Sequence, residues 1–288
     1  MARIAASGRY LMSLSNKEKF QYSQDMNNNN SEDIQGSIQL QNRVSTFSER
    51  LALVIGGSGG IGLAVSYELA SRGTALLIQG RRASEKLRVD SFPKAKSLNL
   101  IDLDFSSSVQ FIQAIDLRLD EIGKEPDIVV CAFGPFLEKP LKDCTAIDWE
   151  WLTLANLALP GALASRFLPS MMERKYGRFL FFGGTRTDGI RSYKKTATYA
   201  SSKTGLGVLA KSIAVQSASD NVAAIVVCPG PVETEYLDRE TKIRHASLTA
   251  TGSLLKANTI AKIALDLIDS EPCIASGAVV NLDGGFAP

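Results

Sequence analysis

Leu51-Ala52-Leu53-Val54-Ile55-Gly56-Gly57-Ser58-Gly59-Gly60-Ile61-Gly62 is the stretch on which the fold turns. Five apolar residues, a length suited to a buried strand, run straight into a turn with five glycines in seven positions. Leu63 to Arg72 then reads as a helix, with Ala64, Val65 and Leu69 for its inner face and Gly73 as its stop. In that context glycine has a physical meaning. It lets the backbone approach a pyrophosphate, while the unpaired N–H groups and positive dipole end of the following helix receive the charge.

Reading outward from this unit, Ala75 to Gln79 is predicted as a second strand, ending in Gly80-Arg81-Arg82. A dinucleotide site that prefers NAD places an acidic residue at this strand end, about 20 residues beyond the glycines, for the ribose 2′-hydroxyl. Arg81 and Arg82 stand there instead. Two guanidiniums suit a 2′-phosphate through charge-assisted hydrogen bonds, so the chain is expected to prefer NADP(H) over NAD(H). Further strands are predicted at Leu98–Leu103, Asp127–Ala132, Arg178–Phe182, Val222–Val227 and Ala278–Leu282. Between them, helical patterns cover Val109–Ile122, Trp149 to about Lys175 (with Pro160 and Pro169 as kinks or breaks), Thr198–Ser217 and Ala257–Ile268. Strand–helix alternation of this kind predicts an α/β protein with a doubly wound parallel sheet, a Rossmann fold, whose ligand lies beyond the C-terminal strand ends. The composition shows no break after residue 48, so one domain is expected there. Residues 1–47, rich in Asn, Gln and Ser and including Asn27 to Asn30, read as a disordered or loosely attached extension.

Whole-chain numbers exclude several classes. A net charge of +2 is too small to argue for nucleic-acid binding, and no apolar run approaches the roughly 20 residues that span a bilayer. A single histidine, His245, sits in what reads as a polar loop, which argues against a histidine-based metal site or a Ser-His-Asp triad. Four cysteines without a C-x-x-C pair read as reduced thiols in a cytoplasmic protein. Tyr199 and Lys203, four apart at the start of a predicted helix, share one face. The ammonium is expected to lower the phenol towards neutrality and make it a general acid or base.

Taken together, these motifs resemble the short-chain dehydrogenase/reductase superfamily from about residue 48 to the C-terminus. Gly56, Gly60 and Gly62 match its G-x-x-x-G-x-G loop, and Tyr199 and Lys203 its Y-x-x-x-K. Asn156 matches the helix asparagine of its catalytic tetrad, Pro229 to Thr234 its nicotinamide-closing segment, and Asp283-Gly284-Gly285 its usual ending. After the fourth strand, Cys131-Ala132-Phe133-Gly134 keeps only the glycine of Asn-Asn-Ala-Gly. The family's serine after the fifth strand is missing. Aligning from the strand puts Gly184 there, counting back from Tyr199 puts Arg186 there, and Thr185 lies one residue from either, with Thr187 in reserve.

The resemblance implies carbonyl–alcohol interconversion on a small molecule. Tyr199 would be the proton donor, Lys203 its partner on the ribose, Asn156 a relay anchor and Thr185 the substrate-oxygen ligand. It implies a dinucleotide held by Gly56, Ser58, Gly60, Ile61, Gly62, Arg81, Arg82, Asp104, Phe105, Gly134, Pro229, Gly230, Val232 and Thr234 as well as Tyr199 and Lys203. Homodimers or homotetramers are implied too. Within the family, a 3-oxoacyl-carrier-protein reductase and a small ketone or sugar reductase are both open. Outside enzymology, the missing serine leaves a non-catalytic NADP-binding sensor or scaffold as the alternative.

Overall fold

The computed structural model describes residues 46–286. In chain order the elements are β1 (Leu51–Ile55), α1 (Gly60–Ser71), β2 (Ala75–Gly80), the short α2 (Ala83–Lys86), β3 (Leu98–Asp102), α3 (Ser108–Ile122), β4 (Ile128–Cys131), α4 (Ala146–Thr153), α5 (Leu159–Glu173), β5 (Gly177–Phe182), α6 (Ala197–Ser217), β6 (Val222–Pro229), β7 (Val232–Glu233), α7 (Arg239–Ala246), β8 (Leu255–Lys256), α8 (Ala257–Ile268) and β9 (Val279–Leu282). Seven strands form one parallel sheet in the order β3-β2-β1-β4-β5-β6-β9, and β7 pairs with β8 separately. This is the doubly wound sheet the alternation predicts. Its strand order reverses between β1 and β4, where such sheets open a crevice.

Side-chain alternation along β1 sorts the core into two layers. Leu51, Leu53 and Ile55 point into a cluster with Phe111 and Ile115 of α3, Leu163 and Phe167 of α5, and Leu206 and Ala210 of α6. Ala52 and Val54 point the other way, to Val65 and Leu69 of α1 and Ile260, Ala264 and Leu265 of α8. Both faces are covered, which is why β1, β4, β5 and β6 are buried throughout and, Arg178 of β5 apart, read as apolar runs.

Two expectations change here. Thr46 and Phe47, assigned to the extension, pack into the domain. Phe47 is fully buried in the α1–α8 layer, and Thr46 donates its N–H and hydroxyl to Asp269 Oδ1, both at 2.8 Å. The rest of that assignment, residues 1–45, lies outside the described residues. The two prolines also part company. Pro169 is carried inside α5. Pro160 cannot donate to the carbonyl of residue 156, and the chain widens just before it into a π-turn over Leu154–Ala158 with Asn156 at its centre.

Candidate active site

A crevice of about 520 Å³ opens over the ends of β1, β2 and β4. Gly56 turns out of β1 with φ +76°, and a Cβ there would meet the Phe133 backbone N at 2.8 Å, so the ends of β1 and β4 nearly touch. Gln79 pins the turn: its Oε1 accepts from Gly56 N at 2.9 Å, and its Nε2 donates to Leu103 O. Gly62 closes the unit from behind, since a Cβ on it would stand 2.2 Å from Gly56 O. α1 therefore begins against the turn, with Gly59 as an N-cap that has no side chain to offer. Gly56, Ser58, Gly59, Gly60 and Ile61 line the crevice, so its wall is backbone at the positive end of a helix. These residues fit a dinucleotide's diphosphate.

At the end of β2 the crevice is lined by Gly80, Arg81 and Lys86. Ser58 lies against Gly80, where a Cβ would come within 2.1 Å of its Oγ. α2 is fastened to β3 by Asp102, which accepts from Ser84 N at 2.9 Å and from the Ser84 hydroxyl; these bonds hold its carboxyl below the usual range. This anchoring leaves Arg82 outside the lining, beside Glu85 at 3.7 Å, while Lys86, one turn on, faces in. Arg81 is thus where the sequence reading places it and Arg82 is not. Lys86 carries no local sequence signal because its direction depends on that anchor. Asp104 and Phe105 line the far end, where Phe105 stands 5.6 Å from Trp151, 5.8 Å from Phe111 and 6.1 Å from Phe133, centroid to centroid. This aromatic floor suits a flat ring such as adenine.

At the other end, Gly134 joins the crevice to the predicted catalytic residues. A Cβ on Gly134 would lie 2.3 Å from Asn156 Oδ1 and 2.8 Å from Lys203 Nζ. Asn156 is fully buried. Its Nδ2 donates to Pro135 O at 3.0 Å, and its Oδ1 has no partner among the described residues. Lys203 is 4% exposed and donates from Nζ to Phe182 O at 2.9 Å. Burial pushes its ammonium down to about 8, opposed by the nearby Cys131 and Cys228 thiols; burial drives Cys131 itself up to about 12.

Tyr199 stands one turn before Lys203, with the Lys203 Nζ 5.9 Å from its ring centroid. Phe136 meets its ring edge-on at 5.1 Å. Burial, with Cys228 adding to it, raises the Tyr199 phenol well above its ordinary value. The expected lowering by Lys203 is not found. The ammonium is aimed at the Phe182 carbonyl and lies beside the ring, so desolvation prevails.

The turn after β5 corrects a second expectation. Thr185 gives its proton to Pro229 O at 3.2 Å. Thr187 is 3% exposed; its hydroxyl accepts from Gly184 N at 2.8 Å and donates to Gly184 O at 2.9 Å. Both hydroxyls hold the turn itself, and no hydrogen bond among the described residues joins either to Tyr199. Gly184 is the position beside the phenol, since a Cβ there would lie 2.9 Å from Tyr199 Oη. Arg186 follows at φ +64°, its carbonyl held by Arg191 Nη1 at 2.7 Å and by the Tyr193 hydroxyl.

Of the closing segment, only Thr234 lines the crevice. Pro229 ends β6, Val232 pairs with Leu255, and Gly230 lies against the Asp283 backbone, where a Cβ would come within 2.8 Å. Two residues beyond the predicted set complete the wall: Tyr236 lines it, and Glu235 Oε1 accepts from Gly60 N at 2.9 Å. In the cation-rich connection before α6, Arg191 is paired with Asp188 at 2.7 Å and Lys195 with Glu138 at 3.4 Å. His245 proves to be on α7 rather than in a loop, and burial with Arg244 lowers its pKa.

Comparison with known proteins bears on the family and the fold. Residues 50–244 match the family model described as short chain dehydrogenase. The 3-oxoacyl-[acyl-carrier-protein] reductase of Escherichia coli (strain K12) is 28% identical over 246 residues, covering 83% of this chain and 98% of that protein. That of Mycobacterium bovis is 28% identical over 243 residues, 83% of this chain and 94% of its own. A crystal structure of a 3-oxoacyl-(acyl-carrier-protein) reductase from Agrobacterium tumefaciens C58, with NADP bound, superposes with a TM-score of 0.74 at 24% identity, covering 83% of this chain and 95% of that one. No described helix is long and apolar enough to cross a membrane. The chain belongs to the short-chain dehydrogenase/reductase family and is an NAD(P)-dependent oxidoreductase acting on carbonyl or alcohol groups of small molecules.

Proposed function

We propose that the protein is an NADP(H)-dependent reductase of a small carbonyl compound, with Tyr199 as the general acid. The observation that carries this reading is the cluster of Tyr199, buried Lys203 and buried Asn156 beside Gly134 at the crevice end. A nicotinamide dinucleotide in the crevice supplies the hydride chemistry, held by the glycine turn, Arg81, the aromatic floor and Thr234. Because burial keeps the Tyr199 phenol protonated at neutral pH, it is in the form that gives a proton to a carbonyl oxygen, which supports the reductive direction. Lys203 contributes positive charge against the phenolate left behind, and the free Asn156 Oδ1 offers an acceptor that would anchor a water, which returns a proton from solvent by way of Lys203. Phe136 and the Gly184 backbone flank Tyr199 on the substrate side.

Arg81 and Lys86 support NADP(H) over NAD(H), since both face the end of β2 where a 2′-phosphate would lie. The relatives named as 3-oxoacyl reductases favour an acyl ketone among the candidate substrates, beside a small ketone or sugar. Val208 and Val215, two turns apart on α6 and both exposed, support assembly of two or four copies. The glycine at 184 favours one second reading, a dinucleotide-binding sensor without turnover.

The test is a fluorescence titration with NADPH and NADH, followed by a carbonyl screen on wild type and Tyr199→Phe. NADPH should bind about tenfold more tightly, with Arg81→Ala removing most of that preference. Tyr199→Phe should lower turnover by about 100-fold or more while leaving dinucleotide affinity within about twofold. Tight NADPH binding without turnover on any carbonyl would establish the sensor instead.

A further inference from the structure

We propose that Glu235 is a built-in competitor for the dinucleotide's pyrophosphate, and that the strap Thr234–Tyr236 must lift from the N-terminus of α1 for the dinucleotide to seat. The inference rests on the dinucleotide reading above and concerns how that site is regulated.

The contact is direct. Glu235 Oε1 accepts from Gly60 N at 2.9 Å, across 175 positions of sequence. Gly60 N–H is one of the unpaired donors at the start of α1, and Gly59 offers no side-chain cap. A carboxylate is the anion such a terminus attracts. The strap covers the same backbone: Cβ atoms added to Gly59 and Gly60 would meet Tyr236 Oη at 2.0 Å and Tyr236 Cε2 at 3.1 Å. The backbone built to receive a diphosphate thus already carries an anion and a phenol ring from this chain.

Neighbouring acids on the strap are committed elsewhere. Glu233 is paired with Lys256 and, at 3.8 Å, with Lys242, and Asp238 caps α7 by accepting from Thr241 N at 2.8 Å. Glu235 has no cationic partner among the described residues. Its carboxylate meets the Gly60 N–H at the helix N-terminus and, beside it, the Tyr236 hydroxyl of the same strap. One N–H cannot serve both this carboxylate and a diphosphate, and the two anions repel, so the contacts are mutually exclusive. The mobile piece is bounded by β7, pinned at Val232 by Leu255, and by the Asp238 cap, which confines the motion to residues 234–237. Tyr236 is 67% exposed, so lifting it uncovers little apolar surface.

A site that is competent for only part of the time binds with its affinity reduced by that fraction. Removing the competitor restores it. Titrate wild type, Glu235→Gln and Glu235→Ala with NADPH and with NADH by fluorescence, and record each protein's thermal midpoint without dinucleotide. Glu235→Ala should tighten both dinucleotides by the same factor, about 5- to 10-fold, because the diphosphate is common to both, and Glu235→Gln by a smaller factor. The midpoint of Glu235→Ala alone should fall, because α1 loses its cap. Unchanged or weaker binding in Glu235→Ala overturns the proposal. So does a gain confined to NADPH, which would assign the Glu235 charge to the 2′-phosphate. Equal wild-type affinity for NADPH and NADH would remove the cofactor preference yet leave the Glu235 factor readable within each titration. Absence of binding in all three proteins would remove both.

Discussion

The turns after β1 and β5 are both rich in glycine, and they use it for different purposes. Gly56 to Gly60 presents backbone: two of its glycines take positive φ, and although Cβ atoms there would meet Phe133 and Tyr236, the bare backbone itself lines the crevice. Gly183-Gly184 fills space: Cβ atoms there would meet Cys228 Sγ at 2.5 Å and Tyr199 Cε1 at 2.7 Å. One turn makes a receptor for a ligand. The other admits the Tyr199 ring from α6 into the place where a serine side chain would otherwise stand. A glycine count cannot separate the two, because the difference lies in what approaches from outside the turn.

The strongest way to break the comparison is Gly62→Ala, which attacks the first turn through its packing. The new Cβ would sit 2.2 Å from Gly56 O, a backbone atom with Gln79 and Phe133 behind its residue, so the turn has nowhere to retreat. A loss of at least about 3 kcal/mol in thermal or urea denaturation is expected, at the upper end for overpacking. Gly161→Ala is the control. It lies in α5 with nothing within 4 Å of its Cβ, and should stabilise by up to about 1 kcal/mol. Equal effects from the two would show that the close approach at Gly62 does not constrain the turn.

Gly184→Ser separates the turns next. If the second turn merely lacked a hydroxyl, this substitution would raise turnover. With the Cβ position only 2.9 Å from Tyr199 Oη, it should instead displace the phenol and lower kcat by about 10- to 100-fold, with dinucleotide affinity kept. A rise in kcat sinks the space-filling account of this turn.

These two turns also mark how far the sequence carries. β1, its glycine turn and α1 are legible because every signal is local: an apolar run, glycines and a helical stripe in 21 consecutive residues, Leu51 to Ser71. Tyr199 and Lys203 are legible as types at a spacing and Asn156 through the family resemblance, and the structure brings the three together at the crevice end. Long-range conditions are not. Gln79 could have been suspected as a polar residue closing an apolar strand. Lys86 needs the Ser84–Asp102 anchor to face inward, Glu235 reaches α1 across 175 positions, and the hydroxyls of Thr185 and Thr187 are claimed by carbonyls that only the folded turn presents. The Tyr199 phenol departs from the expectation for the same reason. Spacing reveals one charged neighbour, whereas the shift is set by desolvation around the half-buried ring.

Lys203 gives the smallest and most quantitative test, because it ties the second turn to the end of the crevice. Its Nζ bonds Phe182 O, the last strand carbonyl before Gly183, and burial lowers its pKa from the ordinary 10.5 to about 8. In the unfolded chain this lysine stays protonated to higher pH than in the fold. Below about pH 8 the fold therefore carries the full desolvation cost. That cost is relieved as pH rises from about 8 towards 10.5, and above that range it is gone. A depression of this size corresponds to about 3 kcal/mol, from which the hydrogen bond to Phe182 O recovers roughly 1. Lys203→Met should accordingly abolish turnover yet stabilise the fold by about 1–2 kcal/mol in urea denaturation at pH 7, and that advantage should shrink steadily between pH 8 and 10.5. An advantage that is flat across this range would mean that Lys203 does not titrate there and that its ammonium is solvated. In that case the second turn would be open like the first, and the contrast between them would fail at the residue that joins them.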